Sequence, residues 1–104
     1  MRELSFSAII PTYGRSELAS RAVMSILNQS YQAHEVIVVD DGSDPPIGEA
    51  VKQGAENVRL IRLPVNSGVS VARNAGMLAA EAEYIAFLNS DDSWEPRRLE
   101  AAKE

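Results

Sequence analysis

The sequence predicts an α/β protein: a mostly parallel sheet of four strands flanked by helices on both faces. Three observations predict it. Short, β-branched apolar segments recur along the chain. Between them, apolar residues fall at helical spacing, and stretches rich in Pro, Gly, Asn and Asp separate one kind of segment from the other. Regular alternation of strand and helix implies right-handed crossovers, and therefore parallel strands. The 104 residues, 45% hydrophobic and 24% charged, are expected to form one domain over 1–104.

The first strand, residues 5–10, opens in period 2: Phe6, Ala8 and Ile10 alternate with Ser5 and Ser7, Ile9 joins them, and Pro11 closes the run. After Pro11-Thr12-Tyr13-Gly14, residues Ala19, Ala22, Val23, Ile26 and Leu27 recur at helical spacing, predicting a helix over 17–28 with Ser16 as its N-cap. Residues 35–39, Glu-Val-Ile-Val-Val, read as a central strand covered on both faces. The turn-rich segment Asp40-Asp41-Gly42-Ser43-Asp44-Pro45-Pro46 ends it. A weaker amphipathic helix is expected over 47–54, then a half-exposed strand nearer the edge over 58–63, where Val58, Leu60 and Leu63 are set against Arg59 and Arg62. The segment Asn66-Ser67-Gly68-Val69-Ser70 opens a helix whose inner face, Ala72, Ala75, Gly76 and Ala79, is small enough for close approach to the sheet. Residues 84–88 form the fourth strand, and Pro96 suits the first turn of a last helix.

Composition excludes several classes of function. With 10 Lys+Arg against 15 Asp+Glu, a net charge of −5 and no basic half, the chain lacks the charge that nucleic acid requires. It contains no cysteine, so no disulfide framework, thiolate chemistry or Cys-ligated zinc is available, and His34 alone makes no histidine metal site. No apolar run approaches the roughly 18 residues of a membrane span, and Met1-Arg2-Glu3-Leu4 does not begin a secretory leader. The expected location is cytoplasmic.

In open parallel sheets, ligands bind at the carboxyl ends of the strands. Thr12-Tyr13, Asp40-Asp41 and the segment from Asn89 to Asp92 are all expected on that one edge. Each acidic pair has an ordinary reading as turn and helix-cap chemistry. Their conjunction on one edge favours a ligand site instead, and hard oxygen donors there suit Mg²⁺ or Mn²⁺, ions that commonly accompany phosphates. Neither G-x-G-x-x-G nor a P-loop follows the first strand, so dinucleotide dehydrogenase and P-loop NTPase are excluded at their defining feature. The Asn66-Ser67-Gly68 helix opening offers backbone N–H groups to a phosphate, although the same residues make ordinary turns.

Four blocks occur in order: Ala8-Ile9-Ile10-Pro11-Thr12-Tyr13; Val38-Val39-Asp40-Asp41-Gly42-Ser43; Asn66-x-Gly68 running into Ala72-Arg73-Asn74-x-Gly76; and Tyr84 through Asn89-Ser90-Asp91-Asp92-x-Trp94-x-Pro96. Together they resemble the successive signatures of the family 2 glycosyltransferases, over essentially the whole chain. The resemblance implies the Rossmann-like nucleotide-binding half of a GT-A fold with sheet order 3-2-1-4. It also implies a UDP-, GDP- or dTDP-sugar donor, Mn²⁺ or Mg²⁺ on the diphosphate, and transfer with inversion.

Carried over by position, Pro11, Thr12 and Tyr13 line the base pocket, Asp41 accepts a hydrogen bond from the base, and Arg73 lies beside the nucleotide. Asn89 and Asp91 stand at the ends of the family's D-x-D element, with Asp91 as the metal ligand. The chain departs from the pattern at Asn89, whose amide accepts a hydroxyl hydrogen bond but lacks the charge that attracts a hard cation. Trp94 either stacks on a sugar or, the favoured reading, anchors the next helix. Arg97, Arg98 and His34 read as solvated surface residues.

Inverting transfer needs a general base within reach of the acceptor hydroxyl. The resemblance places it C-terminal to the D-x-D strand, so no catalytic residue is expected in this chain. The expectation is a donor-binding half, inactive alone, with an unknown acceptor and an apolar surface that drives self-association. The alternative is a non-catalytic nucleotide-binding or interaction module that retains the half-fold.

Overall fold

The computed structural model describes residues 4–89. Strands β1 (Phe6–Thr12), β2 (Glu35–Asp41), β3 (Val58–Leu63) and β4 (Tyr84–Phe87) form one parallel sheet in the order β3-β2-β1-β4. This is the order implied by the resemblance. It puts β1 and β2 in the middle, where every residue of both strands is buried, and leaves β3 and β4 at the edges.

Strand periodicity divides the core in two. Ala8 and Ile10 of β1, with Val36 and Val38 of β2, point to one face and pack under helix α1 (Ser16–Leu27) through Ala19, Ala22, Val23 and Ile26. Ile9, Ile37 and Val39 point to the other face, against Ala72 of helix α2 (Val69–Ala79). The small inner face of α2 does what its composition predicts. A Cβ built on Gly76 lies 2.5 Å from Cγ2 of Ile9 and 3.3 Å from Cγ2 of Val39, so only hydrogen fits between helix and sheet.

Three local expectations need correction. Pro11 does not close β1, which runs on through Thr12, paired with Asp40 of β2. Odd-numbered residues of β1 bond toward β4, as Ser5 and Ile9 do through their carbonyls, and Pro11 follows the last of these bonds. Its missing N–H lies on the β4 side and therefore leaves the β1–β2 ladder intact through Thr12. Ser16 is not the cap of α1 but its first residue; the cap position belongs to Arg15, in left-handed conformation at φ 59° with no side-chain cap bond. The helix expected over 47–54 is only a 3₁₀ turn, Glu49–Lys52. Gly48 is extended before it, and Gln53 and Gly54 turn left-handed after it at φ 53° and 74°. Ile47 and Val51 are its buried anchors, too few to hold a longer helix. The last helix, with Trp94, Pro96, Arg97 and Arg98, lies outside the described residues. His34 is an exposed loop residue before β2, as expected.

At the amino-terminal edge of the sheet, Glu35 fastens the entry to β4. Its Oε2 accepts the Ser7 hydroxyl and the Glu81 N–H, both at 2.6 Å, while Ser7 Oγ accepts the Ala82 N–H at 3.1 Å. Burial by itself raises the Glu35 carboxyl. The bonds from Ser7 and Glu81, with the nearby charges of Arg59 and His34, outweigh that and hold it below the usual range. No helix among the described residues is long and apolar enough to cross a membrane.

The contact at Gly76 yields a test of the packing. Gly76→Ala gains about 1 kcal/mol of helix propensity but forces the fully buried Ile9 from its place, which typically costs about 1–3 kcal/mol. Urea unfolding is expected to show a net loss of about 1 kcal/mol, whereas Gly→Ala at an open helical site stabilises.

Candidate functional site

Parallel strands place their carboxyl ends together. Thr12 ends β1, Asp41 ends β2, and Asn89 follows β4 by two residues, all on one edge. A cavity of about 290 Å³ opens there, lined by Pro11, Thr12, Tyr13, Asp41, Asn66, Gly68, Val69 and Ala72. Four of the seven residues predicted from sequence thus share one cavity. Arg73 is the next residue of α2 after Ala72, and its Nη2 donates to Oδ1 of Asn89 at 3.3 Å. Asp91, the predicted metal ligand, lies outside the described residues.

Two consecutive carboxylates organise the cavity. Strand periodicity sends Asp41 to the α2 face, where Oδ1 accepts the Ser67 N–H at 2.8 Å and Oδ2 accepts the Gly68 N–H at 2.9 Å. Asp41 therefore holds the two residues that lead into α2 from a different loop, where a carboxylate also meets the positive end of the helix dipole. The N–H groups of Ser67 and Gly68, which the sequence offers either to a phosphate or to an ordinary turn, are spent on this carboxylate. Gly42, at φ +74°, allows the approach, because a Cβ there collides with the backbone of Val65 and Asn66.

Asp40 is sent to the opposite face and is 1% exposed. Oδ1 accepts the Ser43 N–H at 2.9 Å; Oδ2 accepts the Ile47 N–H at 2.9 Å and Nη1 of Arg62 at 2.8 Å. Arg62 is its partner across the β2–β3 register. Burial raises the Asp40 carboxyl, but the bonds from Ser43, Ile47 and Arg62 together hold it below the usual range. Ser43 Oγ in turn accepts the Gly14 N–H at 2.7 Å. The turn carrying Tyr13, 57% exposed over the cavity, is thereby tied to the end of β2.

Both buried aspartates are thus engaged in holding the loops. Asn89 is neutral, and among the described residues no three His, Cys, Asp or Glu side chains cluster as a metal site. This donor set does not by itself hold a hard cation, so the metal reading rests on Asp91. Sequence reasoning missed Ser43 and Arg62. The Asp-x-x-Ser spacing from Asp40 to Ser43 is a legible side-chain turn, whereas Arg62 joins only through strand register.

A model described as glycosyl transferase family 2 matches residues 7–104. An uncharacterized glycosyltransferase of Rickettsia bellii is 38% identical over 101 residues, covering 96% of this chain and 15% of that protein. TuaG of Bacillus subtilis, a glycosyltransferase provisionally assigned to teichuronic acid biosynthesis, is 37% identical over 97 residues, covering 90% of this chain and 38% of TuaG. The crystal structure of S. aureus TarS 1-349 in complex with UDP-GlcNAc superposes with a TM-score of 0.81 at 29% identity, covering 95% of this chain and 30% of that one. The chain therefore spans well under half the length of these relatives.

The depressed carboxyls define an acid limit. Their stabilisation is complete above the unfolded values, about 3.9 for Asp and 4.3 for Glu, and is lost as pH falls through the lower folded values. Unfolding free energy is expected to hold from neutrality to about pH 5 and to fall steeply below about pH 4. Asp40→Asn, which leaves Arg62 without its counter-charge and buried N–H groups poorly matched, is expected to cost about 3 kcal/mol at pH 7 and to flatten part of the acid slope. Urea titrations across pH measure both.

Proposed function

The chain belongs to glycosyl transferase family 2, and on that premise we propose that it is the donor-binding part of an inverting transferase that takes its sugar from a nucleoside diphosphate. The observation that carries the proposal is the cavity at the carboxyl edge, which joins Pro11, Thr12, Tyr13 and Asp41 to the start of α2. Val69, half exposed at the start of α2, and the exposed Tyr13 offer apolar surface to the faces of a base, with Pro11 and Ala72 buried beneath them. Asp41 offers hydrogen-bond acceptance beyond the two backbone N–H groups it already holds, because each carboxylate oxygen has two lone pairs. The TarS neighbours in complex with UDP-GlcNAc and with UDP support a nucleotide-sugar as the ligand class.

Asp91 is the residue assigned to Mn²⁺ or Mg²⁺, an ion that neutralises charge on a diphosphate. The chain's own residues then do the binding: Tyr13 and α2 enclose the base, Asp41 selects it by its N–H, and Arg73 lies beside the nucleotide. No catalytic base is assigned. Asp40 and Asp41 are each held by two or more donors, so neither is free to deprotonate an acceptor hydroxyl. The same saturation favours the second reading, a module that binds nucleotide without transferring sugar. The chain as given is expected to bind and not to turn over, with the acceptor site and the base proposed to lie outside these 104 residues.

Self-association is proposed through β4. Among the described residues this strand pairs with β1 alone, and Tyr84, Ile85 and Phe87 are 48%, 37% and 39% exposed along it. An open edge with apolar side chains is a template for a second copy.

Calorimetric titration with UDP and GDP tests the nucleotide reading. Modest affinity for one of them is expected, strengthened by Mn²⁺, with Asp91→Ala removing most of that metal increment and leaving the metal-free binding in place. No heat with either nucleotide from a folded sample refutes the reading, and sugar transfer by the 104-residue chain refutes the absence of a base. Sedimentation at rising concentration is expected to show dimers or larger species, reduced by Phe87→Lys; a monomer throughout counts against the β4 contact.

A further inference from the structure

We infer that Arg73 and Asn89 form a phosphoryl-binding pair at the rim of the cavity, one that neutralises ligand charge without a metal ion. The inference rests on the nucleotide reading above and goes beyond it. Helix α2 sets Arg73 directly after Ala72, which lines the cavity, and the end of β4 sets Asn89 beside β1, whose next residues, Pro11 and Thr12, line it too. The guanidinium lies over the Phe87 ring, 5.5 Å from its centroid, and donates through Nη2 to Oδ1 of Asn89. Its Nε is buried and has no partner among the described residues.

Two consequences follow from the chemistry of these groups. A guanidinium carries donors only, so the Asn89 amide has to turn its oxygen toward Arg73, which leaves Nδ2 as the group it presents to anything else. The rim thus offers N–H donors from both side chains. Among the described residues the charge is also unmatched. Arg59 and Arg62 each face a buried carboxylate, at 3.7 and 2.8 Å, whereas Arg73 faces a neutral amide. A cation fixed on an aromatic face and partly desolvated is completed by an anion with several acceptor oxygens. A phosphoryl group next to a base-sized cavity meets that description. A carboxylate at position 89 would instead pair with Arg73 and consume its charge.

The test is calorimetry on the 104-residue chain in chelator, with uridine, UDP and pyrophosphate as probes. The wild type is expected to bind UDP about tenfold more tightly than uridine, the usual scale of one charge-assisted contact. Arg73→Gln and Asn89→Asp should each remove most of that ratio by weakening UDP far more than uridine, while Arg73→Lys keeps part of it; thermal melts confirm that each variant is folded. Pyrophosphate as tight as UDP, and lost in Arg73→Gln, supports the same site with a free phosphoanion as its ligand. Equal uridine and UDP affinities in the wild type overturn the inference, as does undiminished UDP binding by Asn89→Asp in chelator. Parallel loss of uridine and UDP in Arg73→Gln also overturns it, by placing Arg73 on the nucleoside. If uridine and UDP both fail to bind, the nucleotide reading falls, and pyrophosphate alone then decides the anion site: binding abolished by Arg73→Gln sustains it, and no binding ends it.

Discussion

Asp40 and Asp41 stand next to each other at the end of a central strand, and the pleat sends them to opposite faces of the sheet. Each then gathers a different part of the chain. Asp40 collects Ser43, Ile47 and Arg62 beneath the α1 face; Asp41 collects Ser67 and Gly68 at the start of α2. Because Ser43 also holds the Gly14 N–H, three loops from three strands converge on two carboxylates. Charged acceptors make the stronger class of hydrogen bond, and buried N–H groups left without one are costly. The carboxyl edge is therefore built as one unit.

That construction separates positioning from chemistry. An acidic pair at a ligand edge invites a reading as metal ligands or as a base, yet here both members spend their oxygens on backbone and on Arg62. What the proposed ligand would meet is the unused acceptor capacity of Asp41, the apolar surface of Tyr13 and Val69, and the donors at Arg73. Such a set of groups suits the binding and orientation of a ligand, the role proposed for it, and neither aspartate is free to take a proton.

The rest of the molecule supports this edge through close contacts. Ala72 and Gly76 let α2 lie against Ile9 and Val39, bringing the residues that lead into it within reach of Asp41. Gly42 lets the β2 loop touch the backbone of Val65 and Asn66. At the far end of the sheet, Glu35 binds Ser7 and the backbone ahead of β4, fixing the strand that leads to Asn89. Enlarging a side chain at either glycine moves a wall of the cavity without touching the ligand.

The sequence by itself determined the fold class, the four strands, the small-residue face of α2 and the edge on which the polar loops meet. All of these follow from periodicity and from the right-handed crossover rule, which are local or topological. The extent of elements was less legible. Pro11 stays in its strand because its missing N–H lies beyond the last bond to β4, and residues 47–54 make one 3₁₀ turn because flanking glycines and two buried anchors support no more. Only the tertiary structure decided what the functional residues touch. Asp41 and Ser67 are 26 positions apart, Asp40 and Arg62 are 22 apart, and Arg73 and Asn89 are 16 apart. Those pairings arise from strand register and from the height at which a helix crosses the sheet, which depend on packing across the whole core.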